Sequence, residues 1–357
     1  MIPALLTRAK LSLDRGSKQA AMADLRRAAS LVHTAAAHTD AGPERDALME
    51  SSRGVFDELT KLALARGAVR EALGYQQMSG AWVNAGLPTT SFARDGHAGT
   101  VLQYALIDDT LDAWVEARGG VRFKRWTVTR RAIESDEDAL LGSVSLSGDG
   151  AALREQLGRL FDVLVRPITE ELPNDSGPLT IVENDDLISV PFAALWDTAT
   201  HRYLVQDYPL RYAVSAGSSR AADAVPRTRG TRIGLIADPA FDRHLDPDLR
   251  PLPASRSEVE AISRLYDRPR ALVGRDATNS AVSKLFRWAQ IIHYAGHVEY
   301  DDGQPEASRL ILAGRGDAHS DDDIRPRDIR TMDLRRVSLV VLSSCQSLPG
   351  GARHGEG

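Results

Sequence analysis

Two apolar segments, IIHYAGH at residues 291–297 and RRVSLVVLSSC at residues 335–345, carry the strongest indication of the fold of this chain. Each is a short apolar run that ends in a reactive side chain, His297 in the first and Cys345 in the second. Runs of this length and composition predict buried β-strands. Because ligand sites in parallel sheets lie beyond the carboxyl ends of the strands, neighbouring strands of this kind would bring an imidazole and a thiol to one sheet edge.

Strand and helix patterns alternate through the C-terminal part of the chain. Strands are predicted at 232–239, 270–274, 291–297 and 335–345, and helices at 255–266 and 278–289. Ser255 or Ser257 is expected to cap the first helix, and Thr278 or Asn279 the second. This alternation predicts a parallel sheet with helices on its faces.

Residues 4–36 predict two helices around a turn at Gly16, because apolar residues recur there at helical spacing. Gly16 followed by Ala21 resembles a tetratricopeptide helix pair, in which Gly forms the turn and small residues lie where the helices cross. Gly67 and Ala72 repeat this spacing in a weaker second copy. A plain helical hairpin is the alternative interpretation.

A segment of different composition follows the helices. Residues 83–100 are rich in Gly, Thr, Ser and Pro, which predicts a linker. Beyond it, two or three short strands are predicted around the turn at Gly119-Gly120, and a helix at 149–171. The runs LTIVEN (179–184) and PFAALW (191–196) predict buried strands or strand ends.

Composition narrows the classes of function. The 357 residues leave room for two domains. The net charge of -5 does not favour a protein that binds nucleic acid through its phosphates. Cys345 is the single cysteine, so no intrachain disulfide can form. No apolar run approaches the roughly 20 residues of a membrane helix, and the N-terminus is a poor signal peptide, so cytoplasm is expected. The preference for Arg over Lys is interpreted as genomic base bias, with a bacterial source as a hypothesis.

The strand-end residues are the candidates for chemistry. A thiol near its reference pKa of about 8.5 is mostly protonated at neutral pH, and a nearby imidazole raises the reactive thiolate fraction. The alternative is that Cys345 is an inert buried thiol. His293 is expected to pack within the sheet or form a local hydrogen bond. No phosphate-binding loop and no zinc-ligand spacing is present, so neither a cofactor nor a metal is predicted.

These signatures resemble a known family. IIHYAGH and LVVLSSCQS together resemble the paired signature of CHAT domains, a caspase-like family associated with tetratricopeptide repeats. Supporting matches are PLPASRSEVEAISRLY at 251–266, GRDATNSAVSKLFRWAQ before the histidine strand, SRLIL at 308–312 and the Pro-Phe-x-Ala-Leu core within 179–216. The resemblance covers roughly residues 100–357. It implies an α/β fold, a caspase-like three-layer sandwich with a mainly parallel sheet, preceded by an α-helical, tetratricopeptide-like segment.

The resemblance also implies a domain division. Residues 1–85 are expected to form the helical segment and residues 86–357 the CHAT domain. Within the latter, 100–216 would be the N-terminal strand and helix part and 230–357 the catalytic part. The family's pattern continues past the residues present here, so the domain is expected to be incomplete at its C-terminus. The strand before Cys345 is then expected to be an exposed apolar edge.

The family's functional residues transfer to matching positions. His297 matches the catalytic histidine and Cys345 the nucleophile, with backbone N–H groups at Gly296 or Val298 as oxyanion donors beside that of Cys345. The resemblance implies a cysteine endopeptidase that cleaves protein substrates and is regulated by a protein partner on the helical repeats, without cofactor, nucleic acid or membrane. The alternative is a catalytically inactive caspase-like scaffold.

Overall fold

The computed structural model describes residues 1–39, 43–80, 99–145, 150–172, 177–182, 187–213, 230–301, 304–314 and 322–344. The described chain falls into two compact units, one formed by residues up to 213 and the other by residues from 230. The linker predicted at 83–100 lies outside the described residues except for its last two positions. The domain boundary predicted at residue 85 also lies outside them and stays a prediction.

Four helices open the first unit. They are α1 (Ile2–Asp14), α2 (Lys18–His38), α3 (Pro43–Leu64) and α4 (Val69–Gly80). Gly16 joins α1 to α2 with a φ of 77°, and Gly67 joins α3 to α4 with a φ of 75°. These left-handed turns favour glycine because it lacks a Cβ. Ala21 and Ala72, each five residues after its glycine, are fully buried. The repeat predicted from the Gly-Ala spacing therefore has a structural counterpart in both helix pairs.

A five-stranded sheet follows in the same unit, in the order β3-β2-β1-β4-β7. Its strands are β1 (Thr100–Ile107), β2 (Thr110–Ala117), β3 (Gly120–Thr127), β4 (Leu179–Val182) and β7 (Leu210–Ala213). Strands β1 to β3 form an antiparallel meander, whereas β4 pairs in parallel with both β1 and β7. The prediction of two or three short strands around Gly119-Gly120 is thus confirmed, with three strands present.

Helices and short elements complete this unit. They are α5 (Arg130–Ser145), α6 (Gly150–Leu164), β5 (Trp196–Asp197), β6 (Arg202–Tyr203) and α7 (Leu204–Asp207). Helix α6 confirms the helix predicted from residue 149, and a 3₁₀ turn at Arg166–Glu171 accounts for its last residues. Helix α5 was not predicted from the sequence. PFAALW forms a 3₁₀ turn at Phe192–Ala194 before β5, so most of this run is not a strand.

The second unit contains a four-stranded parallel sheet in the order β13-β10-β8-β9. Its elements are β8 (Arg232–Ala237), α8 (Pro253–Ser263), β9 (Arg268–Val273), α9 (Asn279–Trp288), β10 (Ile291–Ala295), β11 (Val298–Glu299), β12 (Arg309–Leu310), α10 (Pro326–Thr331) and β13 (Leu339–Leu342). The predicted alternation of strands and helices is confirmed. Together with the N-terminal helices, it gives the expected mixed α/β fold.

Packing in this sheet depends on one glycine. A Cβ on Gly234 of β8 would lie 2.6 Å from Leu285 Cγ and 2.9 Å from Ile292 Cδ1. Helix α9 can therefore approach the sheet closely only because this position has no side chain. The side chains of Val282, Leu285 and Phe286 on α9 are buried in the resulting core.

The two helix caps differ from each other. Thr278 Oγ1 accepts a hydrogen bond from Ala281 N–H at 3.4 Å, which confirms one of the two predicted caps of α9. The caps predicted for α8 are wrong, because α8 begins at Pro253 with Leu252 as its N-cap. Proline favours the first helical position because its missing N–H needs no partner there. Ser255 lies within the first turn and donates to the Leu252 carbonyl at 2.8 Å.

Among the strands that the structure describes, β13 lies at one edge of the parallel sheet. Leu339, Val340 and Leu342 are each about 40% exposed, at 41%, 42% and 40%. The exposed apolar edge predicted for this strand is therefore present. In the part of the chain that the structure describes, no helix is both long and apolar enough to cross a membrane.

Candidate active site

Strands β10 and β13 are parallel neighbours, and their register defines the candidate site. Ile291 pairs with Leu339, and Tyr294 pairs with Leu342. Ser343 N–H donates to the Tyr294 carbonyl at 2.8 Å, so the pairing continues to the end of both strands. His297 follows Tyr294 by three residues, just as Cys345 follows Leu342 in the sequence. Cys345 itself lies outside the described residues.

The imidazole of His297 lies at the carboxyl end of β10, half-buried and in contact with the segment that follows β8. We call residues 239–252 the strap. His297 Nε2 is 2.7 Å from the Arg250 carbonyl oxygen of the strap. The Phe241 ring, also in the strap, meets the imidazole edge to face, with centroids 5.6 Å apart and planes at 85°. The strap therefore contacts the imidazole at one nitrogen and against its ring.

The contact with Arg250 fixes the tautomer of His297. A carbonyl oxygen has no hydrogen, so the imidazole must donate from Nε2. In the neutral ring the proton then resides on Nε2, and Nδ1 keeps its lone pair. Nδ1 is consequently the nitrogen whose lone pair is available to accept a proton, and a backbone carbonyl of the strap orients the ring.

Tyr294 and Gly296 shape the turn that carries His297. The Tyr294 hydroxyl is 2.6 Å from the His297 carbonyl oxygen and 2.7 Å from the Ile311 carbonyl oxygen. A Cβ on Gly296 would lie 2.5 Å from both Cζ and the hydroxyl oxygen of Tyr294. The chain can therefore turn over the tyrosine ring only with glycine at this position. Burial raises the pKa of Tyr294 far above its usual value, so its hydroxyl remains a donor.

Beyond His297 the chain enters a two-stranded ribbon. Val298 in β11 pairs with Leu310 in β12, and Ile311 N–H donates to the His297 carbonyl at 3.0 Å. Val298 is therefore in extended backbone, where its β-branched side chain is favourable. Gly296 and Val298, the positions predicted to supply oxyanion donors, flank the imidazole at this strand end.

One arginine joins the ribbon to the strap. Arg309 of β12 donates to Glu299 at 2.7 Å, to Asp323 at 2.7 Å and to Asp246 of the strap. Burial opposes the charge of Arg309, but its hydrogen bonds to the three carboxylates outweigh it and raise the pKa of the guanidinium. Burial also raises the pKa of Asp323. Through these ion pairs Arg309 connects the ribbon of β11 and β12 to the strap.

His293 lies four residues before His297 and has a different role. It is buried within β10, and its Nε2 is 2.8 Å from Glu258 Oε1 of α8. This is the local hydrogen bond expected for it. Among the described residues, no group of three or more His, Cys, Asp or Glu side chains is arranged to hold a metal ion.

Sequence reasoning missed the partners of His297. The contact atom of Arg250 is a backbone carbonyl, which every residue possesses, so no pattern of side-chain types could have indicated it. Tyr294 and Phe241 carried a weak signal, because each is an aromatic residue close in sequence to a strand end. The ion pairs of Arg309 were missed as well, because Arg309 and Asp246 lie 63 positions apart along the chain.

Known proteins resemble the chain over most of its length. It is 26% identical over 345 aligned positions to mouse tetratricopeptide repeat protein 28, which covers 79% of this chain and 14% of the relative. It is 23% identical over 283 positions to the human protein of the same name, which covers 68% of this chain and 11% of the relative. The chain thus spans about one seventh of these relatives or less. Both are mammalian, and a bacterial source stays a prediction.

A family model matches the part of the chain that contains the candidate site. The CHAT domain model matches residues 154–357, which is more than half of the chain and includes the strand pair β10 and β13. The helices α1 to α4 precede the matched range, in accord with the repeat name of the two relatives. On the strength of this match, the chain belongs to the CHAT domain family.

Proposed function

We propose that this chain carries the centre of a cysteine endopeptidase, with His297 as base and Cys345 as nucleophile. The register of β10 and β13 is the observation that carries the proposal. Neighbouring strands lie about 4.8 Å apart, and three residues span at most about 10 Å. Both residues lie three positions beyond an aligned pair in the sequence, so the proposal expects His297 and Cys345 at the same end of the sheet.

The chemistry follows from the free nitrogen of His297. Nδ1 accepts the proton of the Cys345 thiol, and the thiolate attacks the carbonyl carbon of the scissile peptide bond. The tetrahedral intermediate then expels the amine, which takes the proton from Nδ1. Water, activated by the same nitrogen, attacks the thioester and releases the acid and the thiol. Throughout these steps Nε2–H keeps its bond to Arg250, so the ring does not turn.

Backbone donors are needed where negative charge develops. In this proposal the N–H of Cys345 and one N–H of the turn at Gly296 or Val298 hold the oxyanion. Such donors contribute about 3 kcal/mol each when they are fixed before the reaction. The turn is suited to this because Tyr294 and Ile311 both bind the His297 carbonyl between the two positions.

The thiol provides a direct test because the chain has one cysteine. Iodoacetamide labelling, followed by intact mass spectrometry at pH 7, reports on Cys345 alone. We expect His297→Ala to slow labelling about tenfold to thirtyfold, since a thiol of pKa near 8.5 is only about 3% thiolate at that pH. His244→Ala is the matched control, because His244 is an exposed histidine in the strap, and it should label at the rate of the unaltered chain.

Peptide cleavage is the second measurement. An unfolded protein such as reduced, alkylated casein is incubated with the chain, and new peptide termini are identified by mass spectrometry. Cys345→Ala and His297→Ala should each abolish cleavage and leave the circular dichroism spectrum unchanged. Full cleavage by either variant, or equal labelling rates with and without His297, contradicts the dyad.

A non-catalytic scaffold is the second candidate. It is favoured by the names of both matched relatives, which describe repeats and no reaction. Under this alternative, Cys345 labels as slowly as cysteine in a short peptide, and the helices α1 to α4 bind a protein partner. In the peptidase proposal the same helices receive a regulatory protein, the substrate is a protein, and the reaction takes place in the cytoplasm without nucleic acid or membrane.

A further inference from the structure

Asp238 has an unusual backbone at the end of β8. It follows Ala237 directly, its φ is 43°, and its side chain is only 9% exposed. A residue with a Cβ at positive φ is disfavoured, and such residues persist where the surroundings compensate for the cost. Asp and Asn tolerate this conformation better than other residues. The compensation at Asp238 comes from three hydrogen bonds.

Those three bonds connect both sides of the His297 contact. Asp238 N–H donates to the Ala295 carbonyl at 3.1 Å, two residues before His297. Asp238 Oδ1 accepts from Leu252 N–H at 2.7 Å, two residues after Arg250. Asp238 Oδ2 accepts from Arg256 Nε at 2.7 Å. One residue thereby fixes the distance between the end of the histidine strand and the end of the strap.

We propose that Asp238 is a positioning residue that holds the Arg250 carbonyl against Nε2 of His297 and thereby keeps Nδ1 available as the base. The tautomer part of this inference stands on the contacts alone. Its consequence for the thiol rests on the proposed peptidase function. Asp238 is not itself a catalytic residue, because its carboxylate bonds to Leu252 and Arg256 and acts on the imidazole only through the strap.

The carbonyl needs such a support because the strap is exposed around it. Arg250 and Pro251 are exposed, and the preceding anchor of the strap, Asp246 on Arg309, lies four residues away. Without the Asp238 carboxylate, Leu252 N–H loses its acceptor, and the exposed residues between Asp246 and α8 lose one of the contacts that fix their position. The Arg250 carbonyl is then held less firmly against the imidazole.

Two substitutions separate the carboxylate from the backbone strain. Asp238→Gly removes the side chain and accepts the positive φ without cost, so the fold is retained. Asp238→Asn keeps the φ preference and the oxygen that accepts from Leu252, and loses both the charge and the acceptor that face Arg256 Nε–H. That ion pair is 55% exposed on the arginine side and contributes little. Arg256→Ala tests the same ion pair from the other partner.

The readout is the imidazole N–H of His297 in the full chain, labelled with ¹⁵N-histidine and assigned by the loss of its signal in His297→Gln. The unaltered chain should show a protected Nε2–H proton. Asp238→Gly should exchange this proton with water about tenfold faster or more and show some Nδ1–H tautomer, as expected for loss of one hydrogen-bond partner. Asp238→Asn and Arg256→Ala should retain protection.

Unchanged protection in Asp238→Gly overturns the inference, and so does equal loss in Arg256→Ala, which would point to the charge pair instead. Melting temperatures and backbone amide exchange are measured on the same samples, with Asp238→Asn as the folded comparison. Faster exchange of the imidazole N–H with unchanged backbone exchange supports the inference, and equal acceleration of both overturns it. Iodoacetamide labelling of Cys345 is measured on the same samples. If His297→Ala does not alter labelling, the peptidase proposal fails, and the exchange result still decides the role of Asp238.

Discussion

The interior of the parallel sheet and its carboxyl end are built by different physical means. In the interior, the packing of apolar side chains determines the structure, and Gly234 allows α9 to pack closely against β8. At the carboxyl end, hydrogen bonds to the backbone carbonyls of His297, Ile311 and Arg250 determine the structure. Interior changes should therefore lower stability, whereas changes at the end should alter the histidine more than the fold.

The largest effect on stability is expected from Gly234→Val. The new side chain overlaps Leu285 and Ile292 in a packed core, and overpacking of this kind costs about 3 kcal/mol of the free energy of unfolding. Urea denaturation monitored by circular dichroism measures it. Gly74→Ala in α4 is the matched control, because no atom lies within 4 Å of the added Cβ, and it should be neutral or stabilising. A Gly234→Val chain as stable as the control would contradict the close packing.

Gly296→Ala should come next, with a loss of about 2 kcal/mol and a slower Cys345 alkylation. The added Cβ collides with the buried Tyr294 ring, so the turn that carries His297 must shift. A double-mutant cycle checks the cause. In a Tyr294→Leu background the ring is gone, and Gly296→Ala should cost clearly less. Additive costs would mean that the glycine serves another purpose.

Tyr294→Phe should cost about 1 kcal/mol, because it keeps the ring and removes one hydroxyl from two carbonyls. The loss is modest because Ile311 N–H still binds the His297 carbonyl. Imidazole N–H exchange should nevertheless accelerate. A variant with normal exchange would show that the hydroxyl serves stability alone.

The same variant carries a pH signature. Burial raises the folded pKa of Tyr294 above its unfolded value of about 10. The stabilisation by its protonated hydroxyl is therefore complete below that pH and declines as pH rises above it, since the unfolded chain then ionises. The difference in unfolding free energy between the unaltered chain and Tyr294→Phe should shrink above pH 10. A constant difference would contradict the burial of the phenol.

Glu258→Gln should have the smallest effect, below about 1 kcal/mol. The Glu258 side chain is 38% exposed, and glutamine can still bind His293 Nε2 through its own oxygen. Alkylation of Cys345 should be unchanged, because His293 lies within the strand and not at its end. A strong effect on Cys345 alkylation would contradict the distinction between the interior of the parallel sheet and its carboxyl end.

Most strands of the parallel sheet could be predicted, because short apolar runs that alternate with amphipathic helices are typical of buried parallel strands. Helix α5 was not predicted, because Arg130–Ser145 is largely polar and its buried residues Ile133 and Leu140 are widely spaced. The start of α8 was misplaced because Pro253 opens the helix without a side-chain cap. The position of His297 at a strand end was predictable, but Asp238 was not, since its role depends on a backbone angle.

The partner of His297 also has a consequence for mutational scanning. Because Arg250 acts through its carbonyl, substitutions there keep the contact atom, and a saturation library should tolerate almost any residue at that codon. Codon 238 should accept little besides Asp and Asn. A mutational scan would therefore not indicate that the Arg250 carbonyl oxygen orients the imidazole. It would indicate Asp238 instead, whose carboxylate supports the end of the strap at Leu252.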